Sequence, residues 1–224
     1  MADKANETHE QVAGAFGLFS KSWDIVKSNL NVFIIFALVG LASTLYDGFV
    51  GDNTIDFQAI MNGETVEQDS LSGLLGIATF LAVFPQMILY LRSAQGKKPS
   101  FGEVMSELGS KFLPLLGLVV LLGLIIVGGF LALIIPGIIF IGWFALAPYV
   151  LIDQKLGIID SLKKSKELSK GYFGAIWAVL LVSVLFAIIS GIGPIGMVIG
   201  YVLAFMYSVA LALRYEELKK LKKA

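Results

Sequence analysis

Two stretches of this chain, 112–152 and 171–213, contain no Asp, Glu, Lys or Arg, and two shorter ones, 28–46 and 70–91, share that property. A helix rises about 1.5 Å per residue and a bilayer core is about 30 Å thick, so roughly 20 apolar residues make one crossing. The shorter stretches suit one crossing each. The longer ones suit two, joined by a turn, and turn-forming residues stand near their midpoints: Pro136-Gly137 in the first and Ser190-Gly191-Ile192-Gly193-Pro194 in the second. The expected fold is therefore an all-α polytopic membrane protein with six transmembrane helices arranged as three hairpins, near 30–47, 71–91, 113–133, 137–153, 172–190 and 195–213. Composition agrees. Of 224 residues, 57% are hydrophobic and 15% charged, where a soluble domain carries about 25% charge.

The charges outside these stretches set the orientation. All 17 Lys and Arg residues fall in 1–31, 92–111, 153–170 or after 213. With six crossings these segments share one face, and basic residues collect on the cytoplasmic side. Both termini are thus expected inside, and 47–70 outside. That outer loop carries Asp47, Asp52, Asp56, Glu64, Glu67 and Asp69, without the regular spacing of a calcium loop. Three divisions follow: a polar N-terminal segment at 1–12, a single membrane domain at 13–213 and a basic cytoplasmic tail at 214–224.

Each hairpin is preceded by an amphipathic segment. Phe16, Phe19, Trp23, Val26 and Leu30 recur at helical spacing, as do Phe101, Val104, Met105, Leu108 and Phe112. Ser100 and Glu103 form a capping box before the second set. Ile158, Ile159, Leu162 and Leu168 make a third stripe. These helices are expected along the cytoplasmic interface, with Lys163, Lys164, Lys166 and Lys170 as candidate contacts to anionic lipid head groups and Lys219, Lys220, Lys222 and Lys223 beside them. Packing against the bundle is the alternative placement.

The spans themselves carry no charge, whereas ion-coupled transporters place ionisable groups at membrane depth. Gln86, after Pro85, is the strongest polar side chain there. The pair marks either an intramembrane polar site or an interhelical packing contact. In the last span Gly196, Gly200, Ala204, Ser208 and Ala212 form a small-residue stripe for close helix packing, against Gly174 and Ala178 of the fifth span or against a second protomer or partner protein. Trp143, Tyr149, Tyr172, Trp177 and Tyr215 stand near span ends, where an aromatic belt or packing would hold them. A lone His9 and no cysteine offer no metal set, no cofactor motif is present, and a formal net charge of zero gives nucleic acid no field to bind.

The run Pro136-Gly137-Ile138-Ile139 through Ala147-Pro148-Tyr149-Val150-Leu151, then Asp153, Leu156-Gly157, Ser161-Leu162, Ser165, Leu168 and Gly171, resembles the membrane domain associated with bacterial glycerophosphodiester phosphodiesterases and related uncharacterised six-span prokaryotic membrane proteins. The resemblance implies a prokaryotic cytoplasmic membrane. It brings no catalytic residue, because the phosphodiesterase chemistry of those enzymes belongs to a separate barrel. An arginine expected in the fourth span is replaced by the run Gly142-Trp143-Phe144. Two functional readings follow. One is a non-enzymatic protein that organises lipid or partner proteins through its basic face. The other is a small transporter or channel for a neutral or lipidic solute, using the spans that contain Pro85 and Pro148.

Overall fold

The computed structural model describes residues 12–49 and 70–222, so the acidic loop and most of the N-terminal polar segment lie outside the described residues. The described residues form ten helices and no strand: α1 (Gly17–Ser28), α2 (Leu30–Phe49), α3 (Ser70–Ala94), α4 (Phe101–Ala132), α5 (Ile134–Phe144), α6 (Ala147–Gln154), α7 (Ile158–Ser169), α8 (Phe173–Ser190), α9 (Gly193–Met206) and α10 (Ala210–Leu221). Five segments are long and apolar enough to cross a membrane: α3, α4, α5 with α6, α8, and α9 with α10. The pair α1–α2, bent by 104°, qualifies as a sixth when taken together. Large apolar side chains stand open along these segments, among them Leu124, Leu131, Ile135, Leu181 and Ile195. Such a surface needs an apolar solvent, and the chain is a multi-pass membrane protein.

Local chemistry explains most of the boundaries. The Ser100–Glu103 capping box forms: the Ser100 side chain accepts from the Glu103 amide at 3.3 Å, and the Glu103 carboxylate accepts from the Ser100 amide at 2.7 Å. Nothing then stops the helix. The second amphipathic segment and the third span, expected as two helices, are one helix of 32 residues. At about 1.5 Å per residue it is some 48 Å long, so its charged first turns project beyond a 30 Å core.

The turn between the third and fourth spans is displaced from its expected place. It is made at Leu133, in extended conformation, and Pro136 lies in the first turn of α5. Proline is tolerated there because first-turn amides have no helical partner. Gly137 serves close approach instead. A Cβ added to it would sit 2.6 Å from the Phe130 ring, and one added to Gly129 would sit 3.0 Å from the Gly137 backbone. The turn at 190–194 lies where expected, with Gly193 at φ +67°, a conformation that favours glycine, and Pro194 in the first turn of α9.

The small-residue stripe is divided. Gly196 and Gly200 press on the end of α8: added Cβ atoms would lie 2.4 Å from the Ile189 carbonyl and 2.6 Å from the Phe186 carbonyl. The tight turn imposes this antiparallel register, which excludes Gly174, exposed at the other end of α8. Ala204 and Ser208 instead line a cavity, and Ala212 is buried in the main core. Replacing Gly200 by Leu should therefore cost about 1–3 kcal/mol through overpacking. Leu at Ala204, which faces open space, or at Val202, 47% exposed, should be mild. Thermal unfolding in detergent checks all three.

Candidate functional site

The fourth and sixth apolar segments and the α1–α2 pair are each broken toward their charged ends, and a side-chain hydrogen bond to another element meets each break. The break in the fourth span separates α5 from α6 at Ala145–Leu146. Pro148 has no amide to offer the Phe144 carbonyl, so α5 stops there and its last carbonyls lack helical partners. α7 lies against this end. Its Ser165 hydroxyl donates to the Trp143 carbonyl at 2.7 Å, and Ser169 stands 3.3 Å from the Gly142 carbonyl while bonding the Ser165 carbonyl at 2.8 Å. In the sixth span, the break at Tyr207–Val209 is held by α1. The Ser22 hydroxyl donates to the Met206 carbonyl at 2.8 Å and accepts from the Val209 amide at 3.1 Å. Tyr207 in turn donates to the Ala15 carbonyl at 2.9 Å. At the α1–α2 bend, the Asn29 amide donates to the Pro99 carbonyl at 3.0 Å.

The amphipathic helices α1 and α7 therefore turn their buried faces to the bundle. Leu18, Ser22 and Val26 are buried on α1; Ser161, Leu162, Ser165, Leu168 and Ser169 are buried on α7. The lysines of α7 occupy its other side. Lys163 is 75% exposed and 3.6 Å from Asp160, and Lys164 pairs with Glu167 at 3.0 Å. The Lys166 ammonium stands 4.1 Å above the Trp143 ring, and Lys170 is exposed. Lys222 donates to the Glu167 and Lys170 carbonyls, where a cation suits the negative end of a helix.

Other basic residues are used internally. Arg92 of α3 meets Glu107 of α4 through its Nε at 3.0 Å, and Lys111 donates to Glu107 and to the Ile152 carbonyl. Asp153, at the end of α6, accepts from Gln95 at 2.8 Å, from the Tyr215 hydroxyl at 2.7 Å and from Lys219. Gln95 also donates to Glu216 at 2.9 Å. Four helices are thus tied together just beyond the uncharged stretches. Lys219 is not available to lipid. Tyr149 and Tyr215 are buried with ring centroids 6.1 Å apart, and pack inside rather than in a belt. Arg214, 1% exposed, donates to the Ala13 carbonyl at 2.6 Å and pairs with Glu217 at 2.8 Å. Sequence spacing offered no signal for this network, because its members lie far apart in the chain.

Pro85 lies within α3, which continues through it. Gln86 borders a cavity of about 220 Å³ between α2, α3 and α9, and accepts from the Tyr90 hydroxyl at 3.1 Å within its own helix. Among the described residues, no group of three His, Cys, Asp or Glu side chains could hold a metal ion.

The Glu107 carboxyl responds to opposed forces. Partial burial pushes it up, but hydrogen bonds from Arg92 and Lys111 outweigh burial and hold it at about 2, against an ordinary 4.5. A carboxyl that ionises more readily when folded stabilises the fold fully above its ordinary value, and that contribution fades as pH falls toward about 2. Thermal stability in detergent should therefore drop between pH 5 and 2. In Glu107→Gln this part of the drop should vanish, and stability at pH 7 should be lower by about 1–3 kcal/mol, because Arg92 and Lys111 lose their partner.

The profile of an uncharacterised protein family (UPF0259) matches residues 49–213. No curated protein and no solved structure matches the chain.

Proposed function

The chain belongs to the uncharacterised protein family UPF0259, and on that premise we propose a protein without enzymatic activity that organises lipid or partner proteins at the inner surface of a prokaryotic cytoplasmic membrane. It crosses six times, with α2 as the first crossing and both termini inside. The six-span hairpin scheme rests on the confinement of all 17 basic residues to one set of segments. The likeness to the phosphodiesterase-associated membrane domain rests on about 136–173 and carries the choice of membrane.

One observation carries the functional reading: α7 is anchored by its serines and leucines and displays Lys163, Lys164, Lys166 and Lys170 on its free side. Arg92, Lys111, Arg214 and Lys219 are taken up by internal partners, whereas the α7 lysines, with Lys97, Lys98, Lys155 and Lys220, belong to the outward-facing part of the basic surface. A helix held rigidly at the interface presents these charges without further ordering cost. Each contributes about 1 kcal/mol near an anionic leaflet, reduced by salt over a screening length of about 10 Å. The stripe Gly196 and Gly200 is occupied by α8 of the same chain, which leaves lipid, rather than a second protomer, as the favoured neighbour.

Two measurements test this reading. The chain has no cysteine, so single cysteines report topology cleanly. Asn62→Cys should react with an impermeant reagent from outside, and Lys164→Cys should not; the reverse pattern would overturn the orientation. In nanodiscs, amide exchange over 155–170 should slow when anionic lipid is added and recover at high salt. The triple change of Lys163, Lys164 and Lys166 to Gln should abolish that response. An exchange rate indifferent to lipid charge would remove the lipid reading.

A further inference from the structure

The cavity between α2, α3 and α9 is uncharged but not apolar. Five polar side chains border it: Thr79, Gln86, Tyr90, Tyr201 and Ser208. Phe33, Phe36 and Phe205 supply aromatic wall. Tyr201 reaches across Gly40 to donate to the Ala37 carbonyl, so that a Cβ at Gly40 would lie 2.8 Å from its hydroxyl. This bond ties α9 to α2 at the border of the space. Two of the bordering hydroxyls are poorly served by protein. Thr79 Oγ1 is buried without a hydrogen-bond partner, and Ser208 Oγ lies beside the Tyr90 hydroxyl without reaching good hydrogen-bond geometry. A threonine in a helix ordinarily bonds the carbonyl one turn back. Thr79 forgoes that bond on the cavity wall.

Depth and size restrict the occupant. The bordering residues run from the middle of each uncharged stretch toward its inner end, and Arg92 follows Tyr90 by two positions on α3. The space therefore sits in the inner-leaflet half. Its volume of about 220 Å³ far exceeds the ~15 Å³ that one water needs. With no cation or carboxylate on the wall, a charged ligand would be unpaired at membrane depth. Hydroxyl and amide groups instead match a ligand that both donates and accepts hydrogen bonds, and the aromatic wall matches hydrocarbon.

We propose that this cavity binds the neutral glycerol-ester end of a lipid, of the diacylglycerol class, entering from the inner leaflet. Hydroxyl and ester oxygens would meet Thr79, Gln86 and Ser208, and the first methylenes of the chains would lie against Phe33, Phe36 and Phe205. The site is separate from the α7 lysines, and its test involves no anionic lipid as ligand.

The probe is a diacylglycerol carrying a diazirine near the ester, incorporated with the full chain into neutral phosphatidylcholine nanodiscs. Labelling should be saturable, map to 79–90 and 201–208, and be competed by unlabelled diacylglycerol. Ala204→Phe, which fills the space, should abolish it. Gln86→Leu should weaken it about tenfold, as expected for loss of one well-placed hydrogen bond. Val202→Phe, on the exposed side of α9, should leave it unchanged. Should Ala204→Phe fail to fold, judged by its thermal midpoint, Gln86→Leu carries the test. Labelling that does not saturate, that spreads equally to α4 and α8, or that survives both cavity substitutions would overturn the proposal. Competition by glycerol alone, equal to that by diacylglycerol, would identify a small-solute site and would equally overturn it.

Discussion

Backbone carbonyls released inside an apolar layer must find a donor, and the arrangement of this protein depends on how that is done. An unbroken helix satisfies its own carbonyls. A broken one leaves up to four carbonyls unmatched before the break and up to four amides after it, where no water is at hand. Here α5 ends at Phe144 and α9 at Met206, both several residues short of the charged boundary. The donors come from α7 and α1, through Ser165 and Ser22. An amphipathic helix with serines on its apolar face is thereby drawn to one particular place on the bundle. Leu162 and Leu168 of α7, and Leu18 and Val26 of α1, add the hydrophobic contact that holds it there.

The consequence for charge is a sorting of the basic residues. Arg92, Glu107, Lys111, Asp153 and Lys219 close into a network among α3, α4, α6 and α10. These side chains are less than a quarter exposed, so loss of one partner leaves another charge poorly solvated. The polar side of α7 remains outward, together with Lys97, Lys98, Lys155 and Lys220. The docking that satisfies the carbonyls at the end of α5 thus turns the lysines of α7 outward.

Much of the fold was legible because bilayer thickness converts uncharged length directly into crossings. The apolar stretches, the Ser100 capping box and the turn at 190–194 followed from residue chemistry within one turn of helix. Pro136 misled for a physical reason: a proline in the first turn of a helix and one in the preceding turn look alike in sequence, and Leu133 carries no turn signal. Ser165 and Ser169 read as part of a polar helix face, since their acceptors lie more than twenty residues away, at a break that only Pro148 hinted at. Gln86 was recognisable as an unusual residue. Its cavity was not, because that depends on how α2, α3 and α9 come together, with Tyr201 bonded to the Ala37 carbonyl. Ala204 belonged to a regular stripe in sequence, yet faces that cavity rather than α8.

The central claim is tested most directly by comparing two serines on the same buried face of α7. Ser165 bonds the Trp143 carbonyl, whereas the Ser161 hydroxyl is buried without a partner. Amide exchange over 141–150 and thermal unfolding in detergent should be measured for Ser165→Ala and Ser161→Ala. Loss of the bond at Ser165 should cost about 1–2 kcal/mol and speed exchange around the break. Ser161→Ala should be neutral or slightly stabilising. Equal effects of the two substitutions, or wild-type exchange in Ser165→Ala, would contradict the account.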